Sequence, residues 1–241
     1  MKKRYIIFII TLILLLLGCS EAGHKKRSYK VVASFDYAPY VYRDDETGEK
    51  KGFVYEIVKE IEKRGEFKFE WYDQPFSRIL DRVVEGRYDI GVSAFTITDE
   101  RKKIVDFTEP LCSSEIVILG NGEIEYDKTP NAIYGIQVNS VFGDKITKKI
   151  GNKIIVNSRE ERLVSALVNK EIDYIVTDLG AGNRIIKENP ELFKKEILED
   201  SNIAIVISKK LNKDDFKKIN SIILEMKSDG TIENLKKKYN V

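Results

Sequence analysis

Two side chains of opposite charge stand at or just beyond the ends of short apolar runs, Arg101 after Ile90-Gly91-Val92-Ser93 and Asp178 at the close of Tyr174-Ile175-Val176-Thr177. A guanidinium at a strand's carboxyl edge can hold a carboxylate through two parallel hydrogen bonds. Free backbone N–H groups around Thr96 and Thr98 would add to that grip. Asp178, just before Leu179-Gly180, would point its carboxylate into the crevice that open α/β sheets keep at the carboxyl ends of their strands. Spacing alone leaves a plainer reading open beside this one. Arg101 is then one more solvated charge in the run DERKK, and Asp178 a turn-forming residue near Gly180.

Covalent chemistry lacks its parts. The single histidine, His24, lies near the N-terminus and there is no cysteine cluster, so Ser-His-Asp catalysis, Cys-His catalysis and zinc sites are all missing members. There is no Gly-rich phosphate loop, and no cofactor is expected. The acidic run Asp44-Asp45-Glu46-Thr47-Gly48 lacks the oxygen spacing of a calcium loop and reads as a hairpin turn.

Positioning Arg101 and Asp178 takes alternating strands and helices. Residues 89–93, apolar with a glycine inside, suit a strand buried on both faces of a parallel sheet. Thr98 followed by Asp99 and Glu100 is a helix start, which puts Arg101 one turn into a short helix. Strands over 29–35, 67–71 and 90–93, with amphipathic helices over 53–64 and 77–85, predict a mostly parallel sheet. The pattern resumes with strands over 115–119, 133–138, 153–156 and 174–177. Ser158 and Glu161 read as a capping box for a helix over 159–169. A last strand over 203–208 leads into helices over 214–227 and 231–238.

At 241 residues and 42% hydrophobic content, the chain can build one large core or two modest ones. Its first residues read as an address: Lys2-Lys3-Arg4, then thirteen mostly apolar residues, then Leu16-Leu17-Gly18-Cys19. Thirteen is short of the roughly 20 that a spanning helix wants, so residues 1–18 read as a signal peptide. The Leu-Leu-Gly-Cys ending resembles a bacterial lipobox, which would make Cys19 a lipidated first residue and 19–28 a polar tether to the membrane. The formal net charge is +2 from 41 basic and 39 acidic residues; without the three leader cations it is 38 against 39, or −1. That balance argues against a nucleic-acid partner. With Cys19 acylated, Cys112 has no partner for a disulfide and reads as a small buried hydrophobe.

The segment YDIGVSAFTITDERKKIVDFTEP over 88–110, with YAPY, KGFVYEIVKEIEKRG over 51–65, IDYIVTD over 172–178 and the closing SDGTIENLKKKY, resembles the family 3 extracellular solute-binding proteins, the polar amino-acid receptors of ABC importers. The likeness runs from about Tyr29 to Val241. It implies an α/β fold of the periplasmic-binding-protein type II kind, two lobes joined by a two-strand hinge with the ligand cleft between. Lobe 1 would take 29–112 and 206–241, and lobe 2 would take 113–205. Arg101 would take the ligand's α-carboxylate and Asp178, facing it from the other lobe, the α-ammonium. Thr96 would meet the carboxylate and the Ala94 carbonyl the ammonium, while Tyr37 and Phe76 enclose the ligand side chain. Thr177, and Ser140 and Val141 in the turn after Asn139, complete the implied site. Basic-amino-acid receptors of the family carry an acid where this chain has Ser34, which points to a neutral or polar amino acid.

The implied partners are that amino acid, an ABC permease, and the membrane through lipid on Cys19, with the protein a monomer. Ligand on the open lobe 1 surface would gain lobe 2 contacts only on closure. Two alternatives share the fold: a periplasmic dehydratase acting on prephenate-like acids, and a sensory or surface lipoprotein without a permease.

Overall fold

The computed structural model describes residues 26–122, 125, 129, 131–150 and 154–241. The leader and Cys19 lie outside the described residues. Strand β1 (Ser28–Ala33) is followed by β2 (Asp36–Tyr37), β3 (Val41–Arg43) and β4 (Lys50–Lys51), which pair only with one another. The acidic segment is the turn between β3 and β4, where Asp44 Oδ1 accepts from the Thr47 N–H at 2.9 Å. Helix α1 (Phe53–Gly65) repeats apolar residues at helical spacing and buries Phe53, Val54, Ile57, Val58 and Ile61. Next come β5 (Lys68–Asp73), α2 (Phe76–Val84), β6 (Ile90–Thr96), α3 (Asp99–Ile104) and β7 (Asp106–Phe107).

Strand β8 (Cys112–Gly120) opens the second half, which continues through β9 (Ile133–Gln137), α4 (Phe142–Ile150), β10 (Ile154–Ser158), α5 (Glu160–Val168), β11 (Tyr174–Asp178) and α6 (Leu179–Glu188). Strand β12 (Phe193–Ile207) returns the chain to the first half, which α7 (Lys213–Ser228) and α8 (Thr231–Tyr239) complete.

The strands run in the order β10-β9-β11-β8-β12-β6-β1-β5, with β7 beside β12. The flanks are parallel, β1 with β5 and β6, and β9 with β10 and β11. The parallel sheet expected from the strands over 29–35, 67–71 and 90–93 forms, whereas the centre of the whole sheet is antiparallel. Its cause is the pair β8 and β12, which run past each other from Cys112↔Ile203 to Gly120↔Phe193 and then pair separately with β11 and β6. Two α/β halves are thereby joined by a two-strand ribbon.

Each half has its own core. In the first, Val31, Phe53, Ile57 and Ile61 meet Ile223 and Met226 of α7. In the second, Ile118, Tyr134, Ile146 and Val176 fill one face of the sheet, and Leu119, Leu163, Leu167 and Ile185 the other. Burying each such side chain contributes roughly 1.5–3 kcal/mol. Cys112 is buried and unpaired, and burial pushes its thiol up to about 12.

The predicted capping box does not form. Ser158 is still in the ladder, paired with Gln137, so α5 starts at Glu160 behind Arg159 with no side-chain cap. Ser28, assigned from sequence to the segment before the fold, already pairs with Lys68 in β1.

Candidate functional site

The carboxyl end of β6 is built around Arg101. Thr98 caps α3, its Oγ1 accepting from the Arg101 N–H at 3.2 Å. The guanidinium, in a residue only 8% exposed, donates through Nη1 to the Thr96 carbonyl at 3.0 Å and through Nη2 to the Asn139 carbonyl at 3.1 Å. Thr96 belongs to the first half and Asn139 to the second, in the turn between β9 and α4. Asn139 takes a left-handed φ of 62° there, and its Nδ2 donates to the Ser77 carbonyl at 2.8 Å. The Phe95 ring packs against the guanidinium, its centroid 5.5 Å from Cζ.

Burial alone pulls the Arg101 guanidinium down to about 10, so it stays a cation at neutral pH. No carboxylate among the described residues pairs with it. A buried charge without a counter-charge is costly unless hydrogen bonds or a ligand compensate it.

Arg101, Thr96, Ala94, Tyr37 and Phe76 face Ser140 and Val141 across a cavity of about 10 Å³. That is about one water's worth of room. Gln137 and Phe142 complete the wall. A second chamber of about 250 Å³ shares Phe76 and Gln137 with it and adds Asp36, Arg78, Ser158 and Arg159. The space at Arg101 itself is too small for an amino acid, which can reach the guanidinium only if the halves separate.

Asp178 is the N-cap of α6, its Oδ1 accepting from the Ala181 N–H at 3.0 Å. The Tyr37 hydroxyl donates to its Oδ2, and the Thr177 hydroxyl lies 3.2 Å from the same tyrosine oxygen. Burial raises the Asp178 carboxyl against the opposing pull of these donors. The tyrosine comes from a turn that Gly52 locks to α1. With φ at 126°, a Cβ there would lie 2.2 Å from the Tyr40 carbonyl oxygen. Tyr40 stacks on Tyr37 at 5.8 Å, and a Cβ on Gly180 would lie 2.6 Å from the Tyr40 hydroxyl.

Of the residues named from sequence, Tyr37, Phe76, Ala94, Thr96, Arg101, Ser140 and Val141 share the cavity wall. Three do not. Asp178 and Thr177 stand behind Tyr37, so the two charges are separated by a tyrosine rather than facing each other over open space. Ser34 is buried, and its hydroxyl donates to Asp36. The sequence reading missed Gln137 and Phe142. Gln137 is a polar residue at the carboxyl end of a strand, the same signal that marked Asp178.

The sequence profile of the bacterial extracellular solute-binding proteins, family 3, matches residues 29–241. A probable histidine-binding protein of Campylobacter jejuni is 28% identical over 228 residues, spanning 92% of this chain and 88% of its own. The arginine-binding extracellular protein ArtP of Bacillus subtilis is 26% identical over 254 residues, spanning 99% of this chain and 98% of its own. Among solved structures, an ancestral arginine-binding protein bound to arginine superposes with a TM-score of 0.79 at 25% identity, covering 90% of this chain and 99% of that one.

Proposed function

Because the chain belongs to the bacterial extracellular solute-binding proteins, family 3, we propose that it binds a free amino acid between its two halves and delivers it to the permease of an ABC importer. The observation that carries this reading is Arg101, a buried cation at the seam between the halves with no carboxylate partner among the described residues. The α-carboxylate takes the place of backbone carbonyls at the guanidinium and supplies the missing counter-charge. Asp178 takes the α-ammonium once the Tyr37 hydroxyl swings aside, with the Ala94 carbonyl and Thr177 as further acceptors. The Tyr37 and Phe76 rings enclose the ligand side chain. Thr96 and Val141 offer N–H groups to the carboxylate and Ser140 its hydroxyl, because the Ser140 N–H already donates to the Gln137 carbonyl.

The first lobe is 29–112 with 206–241, the second 113–205, and the β8–β12 ribbon is the hinge. Closure brings the second lobe onto a ligand held by the first. Each charge-assisted hydrogen bond contributes roughly 1.5–3 kcal/mol. A micromolar Kd asks for about −8 kcal/mol net, which a few such bonds with aromatic burial supply. No covalent step is involved. Lipid on Cys19 holds the protein at the outer face of the cell membrane.

Relatives are named for histidine and arginine. For this chain an uncharged polar side chain is the better match. Ser34 offers a hydroxyl already committed to Asp36, and the second chamber is lined by two cations, Arg78 and Arg159, as well as Asp36. Calorimetry of the purified protein against the twenty amino acids tests both statements. One-to-one binding is expected, tightest for a neutral polar side chain. Arginine binding tighter than glutamine would remove the side-chain assignment, and silence from all twenty would remove the receptor.

A further inference from the structure

A second set of contacts joins the halves outside the head-group cavity, and it centres on Arg184 of α6. Its Nε donates to the Ala38 carbonyl at 3.1 Å, across the gap between the halves. On its own half, Nη1 donates to Glu188 Oε2 at 2.6 Å and Nη2 to Glu160 Oε1. Glu160 is buried at the start of α5, and its other oxygen, Oε2, has no hydrogen-bond partner among the described residues. Arg184 does not line the cavity around Arg101.

Ala38 follows Tyr37 in the turn that Gly52 locks to α1. Tyr37 lines the cavity and donates to Asp178. A bond to the Ala38 carbonyl therefore bears on the tyrosine that covers the ligand, without touching the ligand. Two carboxyl groups already orient the planar guanidinium, so little side-chain freedom is left to lose when the halves meet.

We infer that Arg184, held by Glu160 and Glu188, is a closure latch: a positioning residue that stabilises the closed form through Ala38 and so sets how long a bound solute is retained. The inference rests on the receptor reading for its functional meaning. A contact that holds the halves together shifts the open–closed equilibrium of the ligand-free protein, and apparent affinity falls as the closed fraction falls. Because the latch acts on opening, its effect falls on koff.

The test uses Arg184→Ala and Arg184→Lys in the full protein. Calorimetry and stopped-flow follow the amino acid that the wild type binds best, and spin labels on α1 and α5 report the distance between the halves in ligand-free protein. Arg184→Ala is expected to raise Kd by ~10- to ~100-fold, nearly all of it in koff, with the ranking of amino acids unchanged. Arg184→Lys, which keeps the charge and loses the planar fork, falls between, and it carries the test if the alanine variant fails to fold. The label distances shift towards longer values in both.

Unchanged Kd and label distances, with only a lowered Tm, would reduce Arg184 to a brace between α5 and α6 and overturn the latch. An altered ranking would make it a ligand contact and overturn it equally. Failure of the receptor reading is separate: wild-type protein would then bind no amino acid, while the label distances would still judge the latch.

Discussion

Arg101→Met separates a residue kept for a ligand from one kept for the fold. Methionine retains much of the stem's volume and removes the charge and its donors. Pulling the guanidinium down from its ordinary value to about 10 corresponds to a burial cost of about 3 kcal/mol. Against it stand two hydrogen bonds from a charged donor, to Thr96 and Asn139, roughly 1.5–3 kcal/mol each. The two effects largely offset. The ligand-free unfolding free energy of Arg101→Met is therefore expected to lie within about 3 kcal/mol of wild type in urea titrations. Binding behaves differently, because a bidentate carboxylate contact of about 3–6 kcal/mol disappears, raising Kd by ~100- to ~10,000-fold in calorimetry. A Kd within about tenfold of wild type would refute the carboxylate assignment. A loss of more than about 4 kcal/mol in the ligand-free protein would instead make Arg101 a structural residue.

Gly52→Ala sets a Cβ 2.2 Å from the Tyr40 carbonyl oxygen at a φ of 126°, so backbone must move; destabilisation of at least ~3 kcal/mol is expected by urea titration. Wild-type stability in Gly52→Ala would mean that the turn is not locked there. Burial pushes Glu160 from 4.5 to about 8, against the pull of Arg184. The folded state thus holds a proton that the unfolded state releases, so this contribution to stability is full below about 4.5 and is lost as pH rises through about 8. Glu160→Gln should lose less Tm between pH 5 and 8.5 than wild type; equal losses would exclude Glu160 as their source. The buried Cys112 thiol, raised to about 12, should resist a thiol reagent in native protein and react in urea, and rapid native labelling would contradict its burial.

Local signals carried much of this structure in the sequence. The Thr98 cap, the helical spacing over 53–61 and the buried run before Thr96 are short-range patterns, and each appears where the residues indicate. Strand β12 was half hidden, because Phe193–Ile207 begins with charged residues and carries register shifts at Phe193/Glu196 and Ile197/Glu199, which break the period of two. The antiparallel centre was hidden with it. Ser158 shows the opposite failure, a good local cap signal overruled by pairing with Gln137. At the site, Arg101 and Asp178 were legible as charges at strand ends. The Tyr37 hydroxyl that covers Asp178, and Arg184 reaching Ala38, depend on how two halves distant in sequence meet.

The placement of the two charges implies an order of discrimination. Arg101 is desolvated and lacks a counter-charge among the described residues, whereas Asp178 is already served by Tyr37 and the Ala181 N–H. A solute that brings an anion relieves the larger unmet demand, and one that brings only a cation must displace a satisfied donor to reach its acid. On the proposed receptor reading, the α-carboxylate would therefore be sorted first and the ammonium second, with the side chain read last in the chamber beyond Phe76. Contacts between the halves that never touch the solute, from Arg184 to Ala38 and from Asn139 to Ser77, can then tune retention without disturbing that order.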